Sequence, residues 1–288
     1  MKVLVTGADG QLGRSLRVAC GGSCDFLFTD ITSSPQTTYL DITDNVAVME
    51  MVKANGIDVI VNCAAYTDVN KAESDAERCA LINAKAPQIL ASVMAQTGGL
   101  LVHISTDYVF DGSGSVPYTE DMSCAPTSVY GLTKFQGEEA IKASGCRYII
   151  FRTSWLYSEY GRNFVKTMLD LTSSKPELKV VADQFGTPTY ALDLAELICT
   201  ALRSEGKEGI YHYSNEGSCS WYEFAKTIAE LSGHVSCSVN PCTTEEYPTP
   251  AKRPAYSVLD KSKVKAAFGV DVPQWEESLK KCLKNLSE

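Results

Sequence analysis

The first thirteen residues constrain the fold of this chain more than any other stretch. An apolar run, Val3-Leu4-Val5, leads into Thr6-Gly7-Ala8-Asp9-Gly10-Gln11-Leu12-Gly13. A buried strand that ends on closely spaced glycines and then turns into a helix is the junction that opens a dinucleotide-binding α/β fold. Gly7, Gly10 and Gly13 allow a tight turn, close approach of backbone to a pyrophosphate, and close packing of helix on strand. The helix that starts at Gln11 and Leu12 points its free N–H groups at the phosphates.

Strand and helix signals then alternate. Residues 2–6, 25–30, 58–62, 100–105 and 148–152 read as strands, and residues 11–19, 45–55, 83–96 and 129–143 as helices. Parallel neighbours need crossover connections, so this alternation predicts an α/β fold with a doubly wound parallel sheet of the Rossmann type. Beyond residue 155 the pattern loosens. Residues 163–172, 192–202, 220–231 and 273–286 read as helices and 209–213 as a strand; 237–253, rich in Pro, Thr and Cys, reads as a long loop. Ser220 and Glu223 have the spacing of a capping box. The expected organisation is a dinucleotide-binding domain over 1–155 and a smaller, mixed α/β substrate lobe over 156–288, with some of its segments packed back on the first.

Composition narrows the partners. The net charge of −9 argues against nucleic acid and anionic membrane, both of which need clustered Lys and Arg. No apolar run approaches the roughly 20 residues of a membrane helix. Lys2-Val3-Leu4-Val5 begins a strand with no charged-then-apolar leader before it, which points to a cytoplasmic protein. Eleven cysteines are scattered without a Cys-x-x-Cys, and His103, His212 and His234 are not at zinc-ligand spacing. Reduced thiols and no metal site are expected.

Asp30 closes the second strand. A carboxylate there accepts hydrogen bonds from the adenosine ribose and disfavours a 2′-phosphate. No Arg or Lys occurs between Ile31 and Leu40, which leans towards NADH, while Arg14 and Arg17 remain near enough to serve NADPH. The second informative motif is Tyr130-Gly131-Leu132-Thr133-Lys134. Residues four apart share a helix face, so a Lys134 ammonium can stabilise the Tyr130 phenolate and lower its pKa. Tyr130 can then hand a proton to a carbonyl oxygen as hydride reaches the carbon. Thr106, ending the strand before this helix, is placed to hydrogen-bond the same oxygen. Asn62-Cys63-Ala64-Ala65-Tyr66 ends another strand with small residues that suit a backbone passing over a cofactor.

The Gly-x-x-Gly-x-x-Gly spacing is that of short-chain dehydrogenases/reductases, and Asp41-Ile42 resembles the adenine-contacting pair of that superfamily. The resemblance becomes specific in Ala64-Ala65-Tyr66-Thr67-Asp68-Val69 with Lys71-Ala72-Glu73, Ser105-Thr106-Asp107-Tyr108-Val109-Phe110-Asp111-Gly112 and Phe151-Arg152-Thr153-Ser154-Trp155-Leu156-Tyr157. It continues in Asn163-Phe164-Val165-Lys166-Thr167-Met168-Leu169, Asp183-Gln184-Phe185-Gly186-Thr187-Pro188-Thr189 and Pro248-Thr249-Pro250-Ala251-Lys252-Arg253-Pro254, with Ser257, Leu259 and Asp260. Over nearly its full length the chain resembles the dTDP-4-dehydrorhamnose reductase family of extended short-chain dehydrogenases/reductases.

That resemblance implies hydride transfer from NADPH or NADH to the C4 ketone of dTDP-4-dehydro-L-rhamnose, with Thr106, Tyr130 and Lys134 as the catalytic set. It implies cofactor contacts from Gly7, Gly10, Gln11, Leu12, Gly13, Asp30, Asp41, Ile42, Ala64, Ala65 and Tyr66, besides Tyr130 and Lys134. It implies nucleotide-sugar contacts from Thr67, Val69, Thr106, Asp107, Trp155, Gln184 and Arg253. Some members form a dimer bridged by magnesium through an acid just after the third glycine. Here that stretch is Gly13-Arg14-Ser15, so a monomer or a metal-free homodimer is expected. Two alternatives share the fold: a nucleotide-sugar epimerase or dehydratase that keeps its NAD, and a non-catalytic, NADP-binding regulatory subunit.

Overall fold

The computed structural model describes residues 1–20 and 24–287. Strand β1 (Lys2–Thr6) is buried after its first residue, as an apolar run at the middle of a sheet must be. The chain passes through helix α1 (Gln11–Ala19) to β2 (Asp25–Asp30), the two-residue β3 (Thr38–Tyr39), α2 (Asn45–Asn55) and β4 (Val59–Asn62). Two short helices, α3 (Val69–Ala72) and α4 (Ala76–Ala80), and a π turn at Leu81–Lys85 lead into α5 (Ala86–Thr97) and β5 (Leu100–Thr106). Helix α6 (Val129–Ala143) and β6 (Arg147–Thr153) follow.

The remainder holds β7 (Leu156–Tyr157), α7 (Phe164–Ser174), β8 (Glu177–Val181), β9 (Phe185–Gly186), β10 (Thr189–Tyr190) and α8 (Ala191–Ala201). Then come β11 (Gly209–His212), β12 (Cys219–Ser220), α9 (Trp221–Leu231), β13 (Ser238–Cys242), α10 (Ser262–Phe268) and α11 (Trp275–Ser287).

Seven strands form one sheet in the order β3-β2-β1-β4-β5-β6-β11, every pair parallel. This is the expected doubly wound sheet. Alternate side chains feed a core on each face. Val3, Val5, Val61 and Phe151 pack against α1 and α8, whereas Leu4, Ile60, Leu101 and Ile150 pack against α2, α5 and α6. A third core, with Tyr157, Val165, Phe224 and Leu279 in it, has its buried residues beyond residue 155, with Trp155 packed against it. Two elements beyond residue 155 nevertheless belong to the first body: β11 extends its sheet and α8 covers its face.

Two expectations are corrected. Residues 237–253 are not all loop: Ser238–Cys242 is a strand paired in parallel with β8 in a two-stranded sheet. An edge strand tolerates Pro241, and that proline hid it from the pattern. Nor are all the thiols free, because Cys20, which caps the C-terminus of α1, is bonded to Cys199 on α8 with Cα atoms 5.9 Å apart. Packing of α1 on α8 across the sheet face brings the two together, and nothing local to either residue announces it. The capping box at Ser220 and Glu223 is present as expected.

Candidate active site

Strand β1 sits between β2 and β4, where the connections diverge to opposite sides, and ligands of such sheets bind beyond the carboxyl ends of the strands at that point. A cleft of about 930 Å³ opens there. Gly7, Gly10, Gln11 and Leu12 line one end. Gly7 has φ +63°, and a Cβ on it would come within 2.6 Å of the Ala64 nitrogen, so β1 and β4 could not close up around a larger residue. Gly13 lies behind the cleft. A Cβ there would meet Ala8 at 2.5 Å, so its task is packing α1 onto the turn. Gly10 caps α1 without a side-chain hydrogen bond, leaving first-turn N–H groups for a diphosphate. The Gln11 amide oxygen accepts from Asn163 Nδ2 at 2.9 Å and Ser158 Oγ at 3.1 Å, which ties α1 to the C-terminal lobe.

Asp30, Asp41 and Ile42 line the same end. Asp30 accepts from the Asp9 N–H at 3.0 Å and the Ile31 N–H at 2.8 Å. Both arginines considered for a 2′-phosphate are directed at Asp9. Arg17 pairs with its carboxylate at 3.3 Å and lies over the Phe28 ring, and Arg14 Nε donates to its carbonyl at 3.0 Å. Asp41 accepts from the N–H and hydroxyl of Thr43 in a local turn.

Ala64, Ala65, Thr67 and Val69 line the floor beyond β4. Tyr66 does not. Its hydroxyl donates to Asp75 at 3.2 Å, and its N–H donates to Asn83 Oδ1 at 2.9 Å, holding the strand end against the π turn.

Thr106, Asp107, Tyr130 and Lys134 converge on the middle of the cleft. Ser128 caps α6 by accepting from the Gly131 N–H at 3.1 Å. A Cβ on Gly131 would lie 2.2 Å from the Tyr108 carbonyl oxygen, so only glycine lets α6 seat against the end of β5 and bring Tyr130 to Thr106. The Thr106 hydroxyl donates to Asp107 Oδ1 at 3.0 Å and accepts from the Tyr108 N–H at 3.2 Å. Asp107 is buried, its Oδ2 has no partner, and burial pushes its pKa up to about 6.

Burial pushes the Tyr130 phenol up, and Lys134 Nζ donates to the Ile104 carbonyl and faces His103 Nε2 at 3.4 Å. Burial also lowers Lys134 to about 8.

At the far end, Trp155 is the one non-glycine residue with positive φ among the described residues, at φ +48°. Its ring stacks on Trp221 with centroids 3.5 Å apart, and a Cβ on Gly186 would come within 2.7 Å of it. Arg253 lines the cleft and donates to Tyr108 Oη at 3.3 Å. Gln184 is buried, donates to Thr244 Oγ1 at 3.0 Å and does not line the cleft. Sequence reasoning missed Trp221 and Tyr108. The capping box immediately before Trp221 marked a helix start, but nothing local aimed that helix at Trp155. Among the described residues no group of three or more His, Cys, Asp or Glu could hold a metal ion.

A doubly wound sheet with a glycine cradle and a Tyr/Lys helix facing it is the architecture of an extended short-chain dehydrogenase/reductase. Comparison with known proteins narrows this. The family model described as the RmlD substrate binding domain matches residues 1–288. The dTDP-4-dehydrorhamnose reductase of Burkholderia thailandensis is 38% identical, over 99% of this chain and 99% of its own length. A crystal structure of a dTDP-4-dehydrorhamnose reductase from Clostridium acetobutylicum superposes with a TM-score of 0.94 at 43% identity, covering 100% of both chains. That of the Bacillus anthracis enzyme in complex with NADP gives 0.93 at 39% identity over 99% of each. The chain belongs to the dTDP-4-dehydrorhamnose reductase family.

Proposed function

We propose that this protein reduces the C4 ketone of dTDP-4-dehydro-L-rhamnose to dTDP-L-rhamnose with NADPH or NADH. The observation that carries this reading is the placement of Thr106, Tyr130 and Lys134 between a glycine cradle at one end of the cleft and Trp155 with Arg253 at the other. The cradle fits a dinucleotide: Gly7 and Gly10 line it without side chains, and no side chain caps the α1 N–H groups. When bound, the cofactor supplies the hydride.

The residues of this chain do the rest. Asp30 would hold the adenosine ribose, and Ala64 and Ala65 would line the cofactor's side of the cleft with small side chains. The Thr106 hydroxyl turns from Asp107 to donate to the C4 oxygen, and Tyr130 passes its phenolic proton to that oxygen as C4 gains hydrogen. One C–H and one O–H bond form, the carbonyl π bond breaks, and the phenolate left behind is stabilised by Lys134. Asp107 Oδ2 accepts from a sugar hydroxyl, Trp155 covers the deoxysugar's apolar side, and Arg253 forks onto the diphosphate.

Residues 1–155 carry the cofactor contacts together with Thr106, Asp107 and Trp155, and the lobe formed by 156–288 closes the sugar end of the cleft with Trp221 and Arg253. A monomer or metal-free homodimer acting in the cytoplasm fits a chain whose Gly13-Arg14-Ser15 stretch lacks a bridging acid. Among the described residues no helix is long and apolar enough to cross a membrane.

The test is to supply dTDP-4-dehydro-L-rhamnose with NADH deuterated at the transferred position. Deuterium at C4 of the product, with stoichiometric NAD⁺, is the expected outcome. An unlabelled product with the cofactor returned to its starting state would assign the chain to the epimerase or dehydratase class instead.

A further inference from the structure

Lys134 is backed by a buried polar chain that the reaction described above does not use. Thr6, Asn62 and His103 stand side by side across β1, β4 and β5, in register. Their side chains run in line towards Lys134. Thr6 Oγ1 is 2.6 Å from Asn62 Oδ1, Asn62 Nδ2 is 3.0 Å from His103 Nδ1, and His103 Nε2 is 3.4 Å from Lys134 Nζ. All four residues are at most 2% exposed, so each group must find its partner within the chain.

Counting protons fixes the arrangement. Burial, reinforced by the Lys134 charge, holds His103 well below its ordinary pKa, so the ring is neutral and carries one hydrogen. The Lys134 ammonium has only donors. A neutral ring that meets it with Nε2 must carry its hydrogen on Nδ1, and Nδ1–H then needs the Asn62 oxygen. Turning the Asn62 amide exchanges oxygen and nitrogen without moving either neighbour, and the Thr6 hydroxyl can serve both orientations.

We propose that His103 is a positioning residue: it accepts a hydrogen bond from the Lys134 ammonium and keeps that ammonium charged and in place beside Tyr130. The proposal rests on the reductase reading above. Lys134 also donates to the Ile104 carbonyl on β5, and Glu138 one turn along its own helix, Cys79 on α4 and Cys63 beyond β4 act on its charge through space, with Tyr130 one turn before it. Of these, only His103 offers a neutral nitrogen acceptor. Glu138, Cys79 and Cys63 oppose burial of the Lys134 charge through space, and the His103 acceptor adds a hydrogen bond to them; without that bond the lysine loses its charge at lower pH.

Two measurements test this on the full-length protein. The first is a long-range ¹H–¹⁵N spectrum of the imidazoles, with His103→Gln used to assign the ring. A neutral Nδ1–H form is expected; an Nε2–H form, or a ring that titrates near its ordinary value, overturns the proposal whether or not the protein turns over any sugar. The second is the pH dependence of kcat and of KM for NADH in wild type, His103→Phe and His103→Gln. His103→Phe should lose roughly tenfold in kcat, with the alkaline limb moved to lower pH and KM little changed. His103→Gln, which restores an acceptor oxygen, should recover much of both. An alkaline limb unmoved in His103→Phe contradicts the proposal. Should His103→Phe not fold, the glutamine variant and the spectrum still decide it. Wild-type protein that reduces no nucleotide sugar would sink the reductase reading, while the spectrum would still report on His103.

Discussion

Tyr130 and Lys134 are both pushed by burial towards their neutral forms, one up and the other down to about 8. The reductive direction needs a protonated phenol and a charged ammonium, so it is Lys134 that sets the alkaline limit. Its charge is present below its pKa and lost as pH rises through it. The rate of ketone reduction should therefore fall as pH rises through about 8, with the phenol still protonated. A plateau reaching well past that value would show that Lys134 keeps its charge in the working enzyme. Thr106, Tyr130 and Lys134 were legible in the sequence because each belongs to a short motif tied to a strand end or one helix face. Trp221 was not, since its meaning depends on Trp155, which meets it only in the folded chain. The orientation of Tyr66 and Gln184 was hidden for the same reason. Contiguity with a motif does not say which way a side chain turns, and both turn to Asp75 and Thr244 rather than to the cleft.

At the scale of elements, glycine decides how closely helix and strand approach. Gly131→Ala would set a methyl carbon against the Tyr108 carbonyl oxygen and lift α6 from the end of β5. Overpacking of this kind costs about 1–3 kcal/mol. Activity should fall further than stability, because Tyr130 and Lys134 ride on the displaced helix; circular dichroism melts set beside turnover would show it, and an alanine variant with full activity would refute the close seating. The buried pair of Arg152 on β6 and Glu138 on α6, at 2.7 Å, locks the same helix to the sheet. Glu138→Ala leaves the guanidinium buried without its partner and should destabilise by about 3–5 kcal/mol, read as a drop in the denaturation midpoint. The long apolar strands and periodic helices were readable because their burial pattern repeats. β13 and the π turn at Leu81–Lys85 were not: a proline masks the first, and the second departs from helix periodicity by one residue.

For the molecule as a whole, the Cys20–Cys199 bond joins elements 179 residues apart, staples α1 to α8 and closes most of the chain into one loop. By loop entropy alone such a closure stabilises by about 5 kcal/mol at most. Thiol titration of denatured, unreduced protein should find nine free cysteines, and reductant or Cys199→Ser should lower the melting temperature. Eleven reactive thiols and an unchanged melt would mean that the bond does not form in solution.

The central claim is that this cleft reduces a nucleotide-sugar ketone with Tyr130 as the proton donor. The measurement that tests it most directly is consumption of NADH and of NADPH by purified protein given dTDP-4-dehydro-L-rhamnose, with Tyr130→Phe run beside it and dinucleotide binding measured for both. Rapid oxidation by wild type, falling by about 10²–10⁴-fold in a variant that still binds the cofactor, is the predicted result. No oxidation of either cofactor by wild-type protein that binds them, or full activity in Tyr130→Phe, would contradict it.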